Sequence, residues 1–319
     1  MSSRASALGP LQDLLADAHV SEVMVNGSGA VWVERAGTLF ATESRLSAVE
    51  VEALIERVLG PLGRRVDRSS PFADGRLADG SRVHVVVPPV AIDGPHLTIR
   101  RFRPVDVVLE DFADAPIVDV LHNAIDDRRN LLVSGATSAG KTTLLNALAG
   151  RVDPGERIIT IEDAAELRLR LPHVVRLEVR PANAEGAGAI DQRELVRNAL
   201  RMRPDRLIVG EVRGGEAFDM VQAMNTGHDG SMSTCHANSV VDALRRIETM
   251  VLVAGSGLPL DAIRQQIGSS IDLVIHVERG DSGRRRVVDV ARIDSSPTGW
   301  LARSLVGQTL PDDAGRLGR

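Results

Sequence analysis

The stretch GATSAGKTT fills positions 135–143: Gly135, Ala136, Thr137, Ser138, Ala139, Gly140, Lys141, Thr142 and Thr143. Lys141 is the single lysine of a 319-residue chain that carries 38 basic residues, so the other 37 are arginine. The spacing fits G-x-x-x-x-G-K-[ST], the pattern of a loop that cradles phosphates. Its flanks agree. NLLVS at 130–134 is a short apolar run of the kind buried as a strand, and LLNALAG at 144–150 reads as a helix stopped by glycine. Strand, glycine-rich turn and helix in that order point backbone N–H groups and the positive end of a helix dipole into one concavity. Gly135 and Gly140 lack the Cβ that would obstruct close backbone approach or a positive φ. Lys141 carries a compact ammonium to the β and γ phosphates, a place where a planar guanidinium fits poorly. Thr142 adds a hydroxyl for Mg²⁺. These nine residues predict a nucleotide site.

Composition narrows the rest. The length favours two domains over one. Hydrophobic residues make up 43% of the chain but aromatics only 2%, with no tyrosine, so the cores are aliphatic and no stacking platform for single-stranded bases is expected. The net charge of −5 also speaks against a direct nucleic-acid partner. The single cysteine, Cys235, excludes an intramolecular disulfide and suits a reducing compartment. With no run of about 18 apolar residues, no transmembrane segment is expected, and membrane contact would come through a partner.

Along the chain, residues 21–41 alternate apolar and polar around two turns, as in an antiparallel meander. Ser47 and Glu50 form a capping box for a helix that presents Val51, Leu54, Ile55, Val58 and Leu59 on one face and stops at Gly60-Pro61. Two more strands start near Arg82 and His96. From Pro104 strands and helices alternate, which implies a mostly parallel sheet with its ligand at the carboxyl ends of the strands. The arginine-studded RLRLPHVVRLEVR at 168–180 is expected to be a hairpin, and 306–319 a loose tail.

Two strands beside the loop end in acid. RIITIED closes on Glu162 and Asp163, and RLIVGE closes on Glu211. Phosphoryl transfer to water needs metal charge on the β/γ oxygens, a group that orients the water, and positive charge against the transition state. Glu211 is the candidate general base and Glu162 the candidate for ordering Mg²⁺, directly or through its waters; for each, a solvent-facing strand end is the plain alternative. In TGHDGSMSTCHANS, His228, His236 and adjacent Cys235 lack the four-ligand spacing of a structural zinc site. The two histidines are better placed to hydrogen-bond phosphate or the acids, with a satisfied core histidine as the alternative.

GATSAGKTT, TIEDAAEL, RNALRMRPDRLIVGEVRGGEAFDMVQAMNTGHDG and STCHANS together resemble the type II/type IV secretion and pilus ATPase superfamily, with its Walker A, Asp box, atypical Walker B and His box. FADGRLADGSRVHVVVPPVAIDGPHLTIRRF is similar to the N-terminal domain of its CpaF-like, Tad/Flp pilus branch. The resemblance implies an α/β fold with a RecA-like P-loop core at 104–319 and a smaller N-terminal α+β, PAS-like domain at 1–103. It implies ATP and Mg²⁺ as ligands and ATP hydrolysis as the activity. It matches Glu162 and Asp163 to the Asp box, Glu211 to Walker B, and His228 and His236 to the His box. Gly210 departs from the aspartate that many P-loop enzymes carry before that glutamate. The implied assembly is a cytoplasmic homo-oligomer, a hexameric ring peripheral to the inner membrane, working on platform proteins to move pilin or secreted protein. Conjugation, with DNA translocation, is the alternative, and a regulatory nucleotide-binding module is the third. In such rings nucleotide lies between the two domains, so Arg82, Arg100, Arg101, Arg103 and Arg213 are candidates to reach its phosphates. If the cradle selects a slim ammonium, Lys141→Arg abolishes most ATP hydrolysis despite conserving charge, and near-normal turnover would show that charge alone suffices.

Overall fold

The computed structural model describes residues 8–35, 37–101, 107–182, 186–255, 257–280, 283–297 and 299–306. They form two compact units, Met1–Pro104 with Ala182–Gly188, and Val105–Pro181 with Ala189–Arg319. Arg103 lies outside the described residues, as does most of the tail.

In the first unit a short helix α1 (Gln12–Ala16) precedes β1 (Val20–Asn26), β2 (Gly29–Arg35) and β3 (Thr38–Leu46). Helix α2 (Ala48–Leu59) follows, then β4 (Phe72–Arg76), β5 (Arg82–Val86) and β6 (His96–Arg100). The sheet runs β3-β2-β1-β6-β5-β4 with antiparallel ladders. Alternation explains its core: Val23, Val25, Val31, Val33, Val83, Val85, Leu97 and Ile99 are buried together with the five apolar residues on one face of α2. The Ser47–Glu50 capping box is formed in both directions. Strand β4 is not evident from its FADGR sequence, which reads as a turn. Pairing across to β5 makes it a strand, with Asp74 opposite His84 and Gly75 lying where a Cβ would stand 2.6 Å from Leu62.

The second unit begins with α3 (Ala115–Asp126), β7 (Leu131–Gly135), α4 (Lys141–Ala149), β8 (Ile158–Glu162) and β9 (Val174–Glu178). Then come α5 (Gln192–Ala199), β10 (Arg206–Val209), α6 (Glu216–Asn225) and β11 (Met232–His236). It closes with α7 (Val240–Val253), α8 (Leu260–Ser270), β12 (Leu273–Arg279), β13 (Arg285–Ser296) and β14 (Gly299–Ser304). The sheet order is β14-β13-β12-β7-β11-β10-β8-β9. From β12 to β9 every ladder is parallel, while β13 and β14 add antiparallel strands at one edge. Strands β7 and β8 are buried at every position, which is why their sequences are nearly continuous apolar runs. Successive residues feed opposite faces. Leu131 and Val133 join the core built on α3 and α4, and Leu132 joins the one built on α5 to α8.

The expected hairpin at 168–180 is not formed. Residues 174–178 make β9, which pairs parallel to β8, Ile158 opposite Val174 through Glu162 opposite Glu178. The connection crosses without a helix and is pinned where Glu162 Oε1 accepts the N–H groups of Glu166 and Leu167, at 2.8 and 2.9 Å. Alternating arginines mark one exposed strand face equally well in either topology, so the pattern could not separate them.

At the amino end of the sheet, Arg206 is 2% exposed. Its Nη2 and Nε donate to Glu156 at 2.8 and 2.9 Å, and Nη2 also donates to the Ile125 carbonyl at 2.9 Å. Removing one partner strands a buried charge, so Glu156→Ala lowers unfolding stability by about 3–5 kcal/mol in urea titration.

Candidate nucleotide site

The site grows from the end of β7. Gly135 must be glycine, because a Cβ there would lie 2.3 Å from the Val277 carbonyl oxygen of the adjoining strand. The loop then turns through Ser138 at φ 62° and Gly140 at φ 100°, both in the left-handed region. Ala136, Thr137 and Ser138 are exposed, while Ala139 is buried beneath them. Helix α4 starts at Lys141 without a side-chain cap, so the N–H groups of its first turn remain available to an anion. Lys141 is only 7% exposed, and burial pulls its ammonium below the ordinary lysine range, opposed by the charge of Glu211. It donates to the Ala136 carbonyl at 3.0 Å and to His236 Nδ1 at 3.1 Å. An ammonium has three donors, which leaves one for a phosphate oxygen.

Because Nδ1 of His236 accepts from Lys141, its proton belongs on Nε2. That nitrogen lies 2.9 Å from Glu211 Oε1, a close polar contact whose alignment falls short of a hydrogen bond. Burial, with Lys141 and Arg213 near, pushes His236 below its ordinary value, against the pull of Glu211. Glu211 Oε2 accepts from Arg213 Nη2 at 2.7 Å, and Arg213 Nη1 reaches Asp163 Oδ2 at 3.2 Å. The turn after β10 is fixed from below, where Glu216 accepts the Gly214 N–H at 2.8 Å, Gln192 donates to the Glu211 carbonyl at 2.9 Å, and Thr234 donates to the Gly210 carbonyl at 2.8 Å. Lys141, His236, Glu211, Arg213 and Asp163 thus form one continuous polar chain along the carboxyl edge of β7, β11, β10 and β8. Cys235 points away into the core, where burial pushes its thiol up to about 12 and removes it from the chemistry.

Glu162 stands apart from this chain. Burial raises its pKa, against the two backbone N–H groups on Oε1, and Oε2 is buried with no hydrogen-bond partner among the described residues. An orphaned carboxylate oxygen of this kind, together with the Thr142 hydroxyl, fits a hard divalent cation.

His228 requires a correction. It sits before β11, whereas His236 ends that strand. Five residues of strand, on the order of 15 Å, separate the two, and His228 packs at the amino edge with Nδ1 3.3 Å from the Ala223 carbonyl oxygen. Arg82, Arg100 and Arg101 belong to the first unit. There Arg82 stands opposite Arg100 on β5 and β6, and Arg101 Nη1 donates to the carbonyls of Asp17 and Val20. Sequence reasoning missed Arg285, at the start of β13. Its Nη1 donates to Thr143 Oγ1 at 3.2 Å, and its stem lies where a Cβ on Gly140 would come within 2.5 Å of Arg285 Cδ. Nothing in RRRVV distinguishes this arginine from its neighbours, because only the β12–β13 pairing brings it over the loop.

The family described as "Type II/IV secretion system protein" matches residues 4–303. The chain belongs to that family. A putative conjugal transfer protein of Mycobacterium tuberculosis is 41% identical over 295 residues, covering 89% of this chain and 83% of that one. The type IV secretion system protein PtlH of Bordetella pertussis is 38% identical over 323 residues, covering 91% and 95%. Among solved structures, the VirB11 ATPase of the Brucella suis type IV secretion system, in complex with sulphate, matches with 29% identity and a TM-score of 0.51 over 90% of this chain and 93% of that one. The fold is that of the secretion ATPases, a RecA-like core with a smaller N-terminal domain.

Within this secretion-ATPase fold Gly210 acquires a reason. A Cβ at that position would lie 2.7 Å from Glu162 Cγ. The Glu162 side chain therefore fills, from β8, the space that an aspartate on β10 would need. Gly210→Ala is expected to displace Glu162 and lower ATP turnover at least tenfold while nucleotide affinity, read by equilibrium titration, stays within about twofold.

Proposed function

We propose that the chain is an ATP-hydrolysing motor of a bacterial secretion apparatus. The observation that supports this most is the polar chain from the P-loop ammonium through His236 to Glu211. Lys141 meets the β/γ oxygens with its remaining donor. Glu211, at the end of the chain, orients a water and accepts its proton; the contact with neutral His236 holds that carboxylate toward Lys141. Arg213 binds Glu211 and Asp163 here, and is a second cation, after Lys141, for the developing phosphate charge once Glu211 takes up a proton. Mg²⁺, held by Thr142 and Glu162 directly or through water, would supply positive charge on the β/γ oxygens.

In this reading residues 1–103 act as one domain and 104–319 as the ATPase domain. Arg82 and Arg100 come to the nucleotide when the ring closes, and Arg101 serves its own unit through its carbonyl contacts. The ring is a homo-oligomer, a hexamer, seated through platform proteins on the cytoplasmic face of the inner membrane. Among the described residues no helix is long and apolar enough to cross a membrane.

The names of the relatives favour a type IV secretion or conjugal-transfer apparatus. Tad/Flp pilus assembly is the second reading, favoured by the similarity of residues 72–102 to CpaF-like N-terminal domains. Turnover stimulated by DNA and lost with salt supports conjugation; prepilin and platform genes beside this one support the pilus.

Glu211→Gln should bind ATP with unchanged affinity but hydrolyse it about a hundredfold more slowly or worse. Equal turnover of variant and wild type would remove Glu211 from its role and leave a regulatory nucleotide-binding module as the better description.

A further inference from the structure

The P-loop has two flanks. On one side stand β11, β10 and β8, which carry His236, Glu211 and Glu162 and mark the terminal-phosphate end of the site. On the other side stand β12 and the antiparallel β13, and there the loop meets arginine rather than acid. Arg279 and Arg285 are direct cross-strand partners at the open end of this ladder, an arrangement that like charges disfavour. Arg285 is half-buried, its stem laid against Gly140 and its guanidinium on Thr143 Oγ1. Among the described residues it has no carboxylate partner, although this chain pairs several other arginines with acids. Burial and the nearby Arg279 both hold its pKa below the ordinary arginine value. A charged fork placed against the first turn of an uncapped helix, with a second cation beside it, is a site for an anion.

We infer that Arg285 binds the α-phosphate end of the nucleotide, clamping it against the start of α4 from the flank opposite Glu211. The inference rests on the ATP reading above and adds a contact to the part of the nucleotide that does not react. An interaction with the α-phosphate is present equally in ATP, ADP and the transition state. It therefore acts as uniform binding, lowering KM without changing kcat.

The test is equilibrium titration of wild type, Arg285→Gln and Arg285→Lys with ADP and with a nonhydrolysable ATP analogue, alongside steady-state ATP hydrolysis and thermal melting. Glutamine keeps most of the stem that packs on Gly140 and removes the charge. The expected result is an Arg285→Gln variant that melts within a few degrees of wild type, binds both nucleotides about tenfold more weakly, and shows a matching rise in KM with kcat within about twofold. Arg285→Lys should recover most of that loss. The assignment is overturned if Arg285→Gln binds both nucleotides as wild type does, if the loss is confined to the ATP analogue with a collapse of kcat, or if lysine restores nothing. Wild-type protein that binds neither nucleotide overturns the ATP reading as well, which separates the two failures.

Discussion

A single buried ammonium organises the catalytic half of this protein. Among the described residues Lys141 has no carboxylate in direct contact; its hydrogen-bond partners are a loop carbonyl and a neutral imidazole, with Glu211 one residue further away. Placing a cation in such surroundings is costly unless something anionic completes it. The open first turn of α4 and the left-handed turns of the loop are shaped for that anion. The remaining architecture can be understood as the means of keeping that cation in place and bringing acids to one side of it.

The parallel sheet supplies the means. Every strand from β12 to β9 points the same way, so residues at the ends of β8, β10 and β11 arrive at one edge although they are scattered over 75 positions of sequence, from 162 to 236. Register does the finer work. Gly210 leaves room for Glu162, and Thr234 on β11 ties down the carbonyl of Gly210, so three neighbouring strands share the placement of two glutamates. Arg213 then closes the chain by bridging Glu211 and Asp163.

Much of this is legible in the sequence. The capping box at Ser47, the buried face of α2, the apolar parallel strands and the P-loop with its flanking strand and helix are all local patterns that a few consecutive residues specify, and each is formed. What misled was information that repeats identically in more than one topology. Alternating arginines suit an edge strand or a hairpin alike, and β4, like β14, becomes a strand only through the neighbour it pairs with. His228 and His236 look equivalent in one motif, yet a strand lies between them and only the second reaches Lys141.

The sequence by itself determined the phosphate loop, the identity of its lysine, and the acids and histidine that end their strands, because these depend on spacings within a dozen residues. The tertiary structure alone decided that Glu162 takes the room vacated at Gly210, that His236 rather than His228 joins the ammonium to Glu211, and that Arg285 lies across Gly140. Those contacts link residues tens to more than a hundred positions apart through sheet order and register, and in a chain with 37 arginines no local signal could select the one that the fold carries to the loop.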